Sequence, residues 1–137
     1  MRASGTFKVA EFTPTSLPSP AIETALPVGV ATMEKQYEGE IAGRSATLFT
    51  AAFDQSSGAG TYVAMESFEG TLHGQAGTFN FAHSATTAGE GRSDEFFIVV
   101  PGSGTAALAG ITGTGGIGVD ADGTHRIWFD YGLGERR

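Results

Sequence analysis

An antiparallel all-β fold, closed or nearly closed into a single barrel of about eight strands, is what this sequence predicts. Three observations carry that expectation. Apolar residues recur with a period of two along almost the whole chain, and no window sustains a 3.6-residue apolar repeat. Glycine supplies 21 of 137 residues, about twice the usual ~7%. Those glycines separate short apolar stretches, as turns between strands do.

Taken in order, the first strand runs through Phe7 and Val9, alternating with Lys8 and Ala10. A second covers Val30 to Glu38, with Ala31, Met33, Lys35 and Tyr37 on one side. The third alternates Thr47, Phe49, Ala51 and Phe53. Further strands are expected over Thr61–Leu72, Gly77–Thr87, Glu95–Val100, Thr112–Asp120 and His125–Tyr131. The segment 13–28 differs, because it holds Pro14, Pro18, Pro20 and Pro27. Proline removes ladder donors, so this reads as a connection in a one-domain chain of residues 1–137. Ser19-Pro20 would start a short helix over Ala21–Leu26. Leu17, Ile22 and Leu26 would anchor the segment as a cover over the barrel mouth or an edge.

The hairpin at Gly74-Gln75 suits a two-residue type II′ turn with glycine first. That phase sets Phe68 opposite Phe81 and Glu66 opposite His83, all on one aromatic face. The other face is mostly small and polar. A slip of two residues would make the Glu66–His83 pair diagonal but leave it on the same face.

Composition excludes several classes. With no cysteine there are no disulfides, thiolate metal sites or Cys nucleophiles. Eight Lys+Arg against 15 Asp+Glu give −7, a poor match for nucleic acid or an anionic membrane. No apolar run reaches the roughly 18 residues of a membrane helix, and no signal-peptide pattern opens the chain. A cytoplasmic protein is expected, with homo-oligomerisation left open. Gly102-Ser103-Gly104-Thr105-Ala106-Ala107 matches a dinucleotide fingerprint, yet glycines at 110, 113, 115, 116 and 118 forbid the helix that must follow. The Asp-containing stretch Gly115–Asp122 is one imperfect copy of a calcium repeat, and Asp120–Gly123 lacks an EF-hand's downstream Glu. His73, His83 and His125 form no close metal-ligand pair in sequence, so neither metal nor cofactor is expected.

Glu66 and His83 are the candidate catalytic residues. A carboxylate on an aromatic face must be paired, hydrogen-bonded or protonated. The pair is either a satisfied structural unit or a general acid/base pair, with Glu66 as base or stabiliser and His83 as proton donor or orienter. Tyr62, Phe68, Phe79 and Phe81 are the candidate ligand-binding side chains, since a small barrel either fills with side chains or holds one small ligand.

Val100-Pro101-Gly102-Ser103-Gly104-Thr105, followed by Leu108, Gly110, Gly113 and Gly115-Gly116, resembles the glycine-rich signature of allene-oxide-cyclase-like barrels. Ser67 to Gly74, Gly77-Thr78-Phe79, His83-Ser84 and Ala3 to Phe7 resemble the bacterial domain of unknown function 3224. Ala106 stands where that signature usually has another glycine. The resemblance implies a barrel with a cavity. In the plant cyclases that cavity binds an unsaturated fatty-acid epoxide, and a glutamate assists its opening and cyclisation. The expected function is binding of a small apolar molecule in the interior, with cofactor-free isomerisation or cyclisation as the chemistry if there is any. The alternatives are a lipocalin-like carrier and a solid structural barrel.

Overall fold

The computed structural model describes residues 1–16, 22–88 and 91–134. Its strands are β1 (Arg2–Thr15), β2 (Val28–Gly39), β3 (Ile41–Asp54), β4 (Ala59–Leu72), β5 (Gln75–Ala88), β6 (Gly91–Val99), β7 (Thr112–Val119) and β8 (His125–Gly132). A short 3-10 turn, Ala106–Leu108, lies between β6 and β7. All eight join one antiparallel sheet in the order β6-β5-β4-β3-β2-β1-β8-β7. The sheet curls into a nearly closed barrel whose seam, without a ladder among the described residues, lies between β6 and β7.

The β4–β5 hairpin is two residues off the anticipated register. The turn is His73-Gly74, so Leu72 faces Gln75, Phe68 faces Phe79 and Glu66 faces Phe81. Both turn residues have positive φ, 50° and 78°, as a type I′ turn requires. A histidine tolerates that region here because its surroundings hold it. Its N–H donates to Glu40 O at 2.9 Å, and its ring stacks on Tyr131 with Nδ1 2.8 Å from the hydroxyl. A slip of two keeps every side chain on its face, so Glu66 and His83 remain on the interior side as a diagonal pair.

The segment 13–28 corrects a second expectation. β1 runs through Pro14, which sits opposite Ala31 of β2. β8 covers β1 only as far as Phe7, so the later half of β1 is a sheet edge. A proline there removes no ladder bond on its open side. Residues 22–27 are not helical, Ile22 is 86% exposed and anchors nothing, and Leu26 is half-buried. Leu17 and the Ser19-Pro20 cap lie outside the described residues.

A bulge at Ala10 shifts the β1–β2 register between Val9 and Glu11. One extra residue reverses the alternation. Phe7 and Val9 therefore share the interior face with Phe12 and Pro14, although an uninterrupted period of two would send the last two outward.

The barrel is solid at one end. Phe68, Phe79, Phe81, Phe129, Ile41, Leu72 and Ile127 are fully buried there, with Phe79 and Phe81 set edge-on to Phe129 at 5.4 and 5.1 Å. The glycine-rich segment closes that end with Leu108 and Ile111. Gly77 makes room for it, since a Cβ there would strike Thr105 O and the Leu108 side chain. Ala106 has φ 53°, the backbone region that favours glycine.

Candidate functional site

Above the solid end, the interior faces of β2, β3, β4 and β5 present polar side chains to one another. Lys35, Ser45, Thr47, Glu66 and His83 are all buried, and Glu66 has no exposure. Their positions follow from the pleat: Lys35 lies two residues before Tyr37, Ser45 and Thr47 precede Phe49, and Glu66 lies between Ala64 and Phe68. Each therefore shares a face with core residues.

Glu66 is the hub. Its Oε2 accepts from Lys35 Nζ at 2.6 Å and lies 2.5 Å from His83 Nε2. Its Oε1 accepts from Tyr37 Oη and Ser45 Oγ, each at 2.7 Å. A carboxylate offers only acceptors, so His83 Nε2 carries a hydrogen. Neutral His83 then accepts at Nδ1 from the Tyr62 hydroxyl, 2.8 Å away. Arg92 Nη2 donates in turn to Tyr62 Oη at 3.2 Å, and Arg92 Nε pairs with Glu95 at 3.3 Å. The result is a hydrogen-bonded chain from Arg92 through Tyr62 and His83 to Glu66 and Lys35. Thr47 Oγ1 is buried beside this network without a partner among the described residues.

The charges balance. Burial pushes the Glu66 carboxyl up, but the His83 hydrogen bond and the Lys35 charge outweigh it and hold the group down to about 2. Burial drives His83 below its ordinary value, with Lys35 and Arg92 adding to the shift against the pull of Glu66. Burial raises Tyr62 and Tyr37, keeping both phenols protonated. One carboxylate and one ammonium thus face a neutral imidazole.

Both depressed groups make the fold acid-sensitive. The unfolded chain binds a proton at His83 near 6.5 and at Glu66 near 4.5, while the folded chain resists both. Stability is therefore full above pH 6.5, falls as His83 charges in the unfolded state, and falls further between 4.5 and about 2. Melting temperatures taken from pH 8 to 3 check this, and His83→Gln removes the drop that begins near 6.5. A melting temperature flat from pH 7 to 5 would contradict the neutral imidazole.

Two cavities adjoin the network. At the end of the barrel opposite the solid one, open among the described residues, a cleft of about 270 Å³ is lined by Phe12, Pro14, Ala31, Phe49, Ala51 and Phe53, among others. Tyr62 stacks on Phe49 at 5.5 Å, so the phenol ring stands between the cleft wall and His83. At the β6–β7 seam a cavity of about 40 Å³ touches His83, Arg92, Phe97 and Gly115. Gly115 keeps it open to the Phe97 ring, which a Cβ would meet at 2.8 Å.

Of the candidate residues, Glu66, His83 and Tyr62 come together in one chain. Phe81 stacks on His83 at 5.7 Å, whereas Phe68 and Phe79 pack in the solid end. Lys35, Tyr37, Ser45 and Arg92 were not anticipated as site residues. Lys35 carried a signal, being the one charge on the Ala31–Met33–Tyr37 face. Arg92 carried none. Among the described residues no group of three or more His, Asp or Glu is placed to hold a metal, and Lys35 fills the cation position beside Glu66.

Among curated proteins none matches this sequence. A solved structure, a protein with unknown function from the DUF3224 family of Shewanella oneidensis MR-1, is similar at 26% identity and a TM-score of 0.86. The match covers 99% of this chain and 98% of that one. The family model described as "Protein of unknown function (DUF3224)" matches residues 3–131. A barrel shared over its whole length and a family match over nearly all the strands lead to one conclusion: the chain belongs to the DUF3224 family.

Proposed function

We propose that this barrel binds one small, largely apolar molecule in the cleft at its open end. The observation that carries the reading is the contrast between the two ends. One is filled by phenylalanines and closed by Leu108, while the other leaves about 270 Å³ between Phe12, Phe49, Phe53 and Ala51. That volume lies near the lower end of the range for small-molecule pockets. Glu66 takes part from below, as the anchor of a rigid polar floor. Its four donors leave it no free lone pair to offer a ligand. Binding is therefore favoured over catalysis by Glu66 itself.

A second reading rests on Tyr62. Its ring meets a cleft wall, and its hydroxyl is backed by His83, Glu66 and Arg92. That hydroxyl gives its one hydrogen to His83 Nδ1, so Tyr62 can donate a proton to a ligand oxygen only by releasing the imidazole. Cofactor-free isomerisation or cyclisation, as the resemblance to allene-oxide-cyclase-like barrels implies, would use it in that role.

The neutral fluorophore N-phenyl-1-naphthylamine tests the binding site. Its emission is expected to rise with the wild-type protein, and Ala51→Trp, which fills the cleft, is expected to abolish the rise at an unchanged melting temperature. Equal binding by Ala51→Trp would remove the cleft from consideration. Tyr62→Phe separates the two readings once a substrate is in hand, because a carrier keeps its affinity and an enzyme loses turnover.

A further inference from the structure

The outward side chains of β1 to β4 form rows across the sheet. One row is Glu11–Glu34–Ala46–Ser67, and the next is Thr13–Thr32–Leu48–Met65. On the other side of the first row, Arg44 and Glu69 face each other and pair at 3.0 Å. Ala46 and Ser67 are short, and their neighbours in the flanking rows are long. The first row is therefore the floor of a groove, walled by Leu48 and Met65 on one side and by the Arg44–Glu69 stems on the other. Two concavities of about 490 and 300 Å³ follow it and share Glu34, Ala46 and Ser67.

The groove has a polarity. At its β1–β2 end Glu11 and Glu34 are directly opposite, both exposed, and neither has an ion-pair or hydrogen-bond partner among the described residues. Like charges in that position repel. At the β4 end the charge of Glu69 is already met by Arg44. Between the ends the walls expose apolar surface, Leu48 at 52% and Met65 at 48%. The length from β1 to β4 is three inter-strand spacings, about 14 Å.

We propose that this groove is a binding site for a linear primary alkylammonium ion, separate from the open-end cleft and independent of the function proposed for it. The ammonium sits between Glu11 and Glu34, where it cancels their repulsion and donates hydrogen bonds to both. The alkyl chain lies over Ala46 and Ser67 against Leu48 and Met65. No aromatic ring lines the groove, so the head group it fits is a hydrogen-bonding ammonium and not a quaternary one held by ring faces.

The test uses octylammonium chloride below its micelle concentration at low ionic strength, followed by calorimetry and amide chemical shifts. Binding is expected to move the amides of residues 11, 34, 46, 48, 65 and 67. Glu11→Gln with Glu34→Gln is expected to weaken it at least about tenfold without lowering the melting temperature. Glu23→Gln with Glu38→Gln removes the same charge elsewhere and is expected to change affinity less than about twofold. Octanoate, with the same kind of chain and the opposite charge, is expected not to bind, and methylammonium to bind at least about tenfold more weakly. Equal weakening by the two glutamine pairs would reduce the effect to the acidity of the whole surface and overturn the site. So would octanoate binding as well as octylammonium, or shifts confined to the open-end cleft.

Discussion

Glu66→Gln is expected to cost about 3–5 kcal/mol of unfolding free energy. The melting temperature should fall on the order of 10 °C in a chain of this size. The side chain keeps its shape, so packing is not the cause. The substitution leaves the Lys35 ammonium buried without its counter-ion. It also replaces one acceptor oxygen by an N–H₂, which either faces the N–H donors of Lys35 and His83 or forces the Tyr37 and Ser45 hydroxyls to turn and accept. Lys35→Met alone should be similarly damaging, since it strands the carboxylate. The pair Lys35→Met with Glu66→Leu should recover only the part of the loss that comes from an unpaired buried charge, because Tyr37, Ser45 and His83 still lose their acceptor. Urea denaturation of the three variants measures this. A loss below about 1 kcal/mol in Glu66→Gln would mean that Lys35 reaches solvent and that the network is not closed.

The second large effect is at a residue with no side chain. Gly43 of β3 faces Gly70 of β4, which in turn faces Gly77 of β5. A Cβ on Gly43 would strike the Glu69 carbonyl and lie 2.7 Å from Gly70 Cα, and both obstacles are backbone. Its φ of 142° is also unfavourable for an L side chain. Overpacking and backbone strain together predict about 2–4 kcal/mol lost in Gly43→Ala. Gly29→Ala is the control. Its Cβ would find nothing nearer than a carbonyl at 4.0 Å, and the change is expected to be neutral or slightly stabilising. The damage reaches the site as well, because Ser45 lies two residues along β3 and pushing that strand outward draws its hydroxyl from Glu66. If both glycine variants melt alike, the close approach of β3 and β4 does not constrain the barrel.

The strands were legible because a half-buried sheet writes its period directly into the chain. So was the meeting of Glu66 and His83, and for a reason that survives the register error: a shift of two preserves the face. The turn itself was misread because His73 takes a positive φ that the sequence gives no cause to expect, and its stabilising partners, Glu40 and Tyr131, are remote in the chain. The bulge at Ala10 was equally hidden. Nothing local distinguishes an inserted residue from an ordinary alternation, and only its effect, Phe12 and Pro14 turned inward, reveals it. Pro14 was read as a strand breaker because exposure of one sheet edge is a property of topology. The lysine in the core was visible as an odd residue on an apolar face. That it completes the environment of Glu66 became evident only when β2 was placed two strands away from β4.

The strand order holds a further consequence. Read as β7-β8-β1-β2-β3-β4-β5-β6, it is chain order rotated by two places. Every neighbour is a hairpin neighbour except one pair, the first strand and the last, joined by bonds such as Arg2 to Asp130 at 2.6 and 2.9 Å. Six strands can form step by step through local turns, and the β7–β8 hairpin can form alone. Neither piece is a barrel. They join in one ladder only when β1 meets β8, the pairing with the largest sequence separation in the fold. Folding speed is thereby governed by one long-range encounter, whatever the stability of the hairpins that precede it.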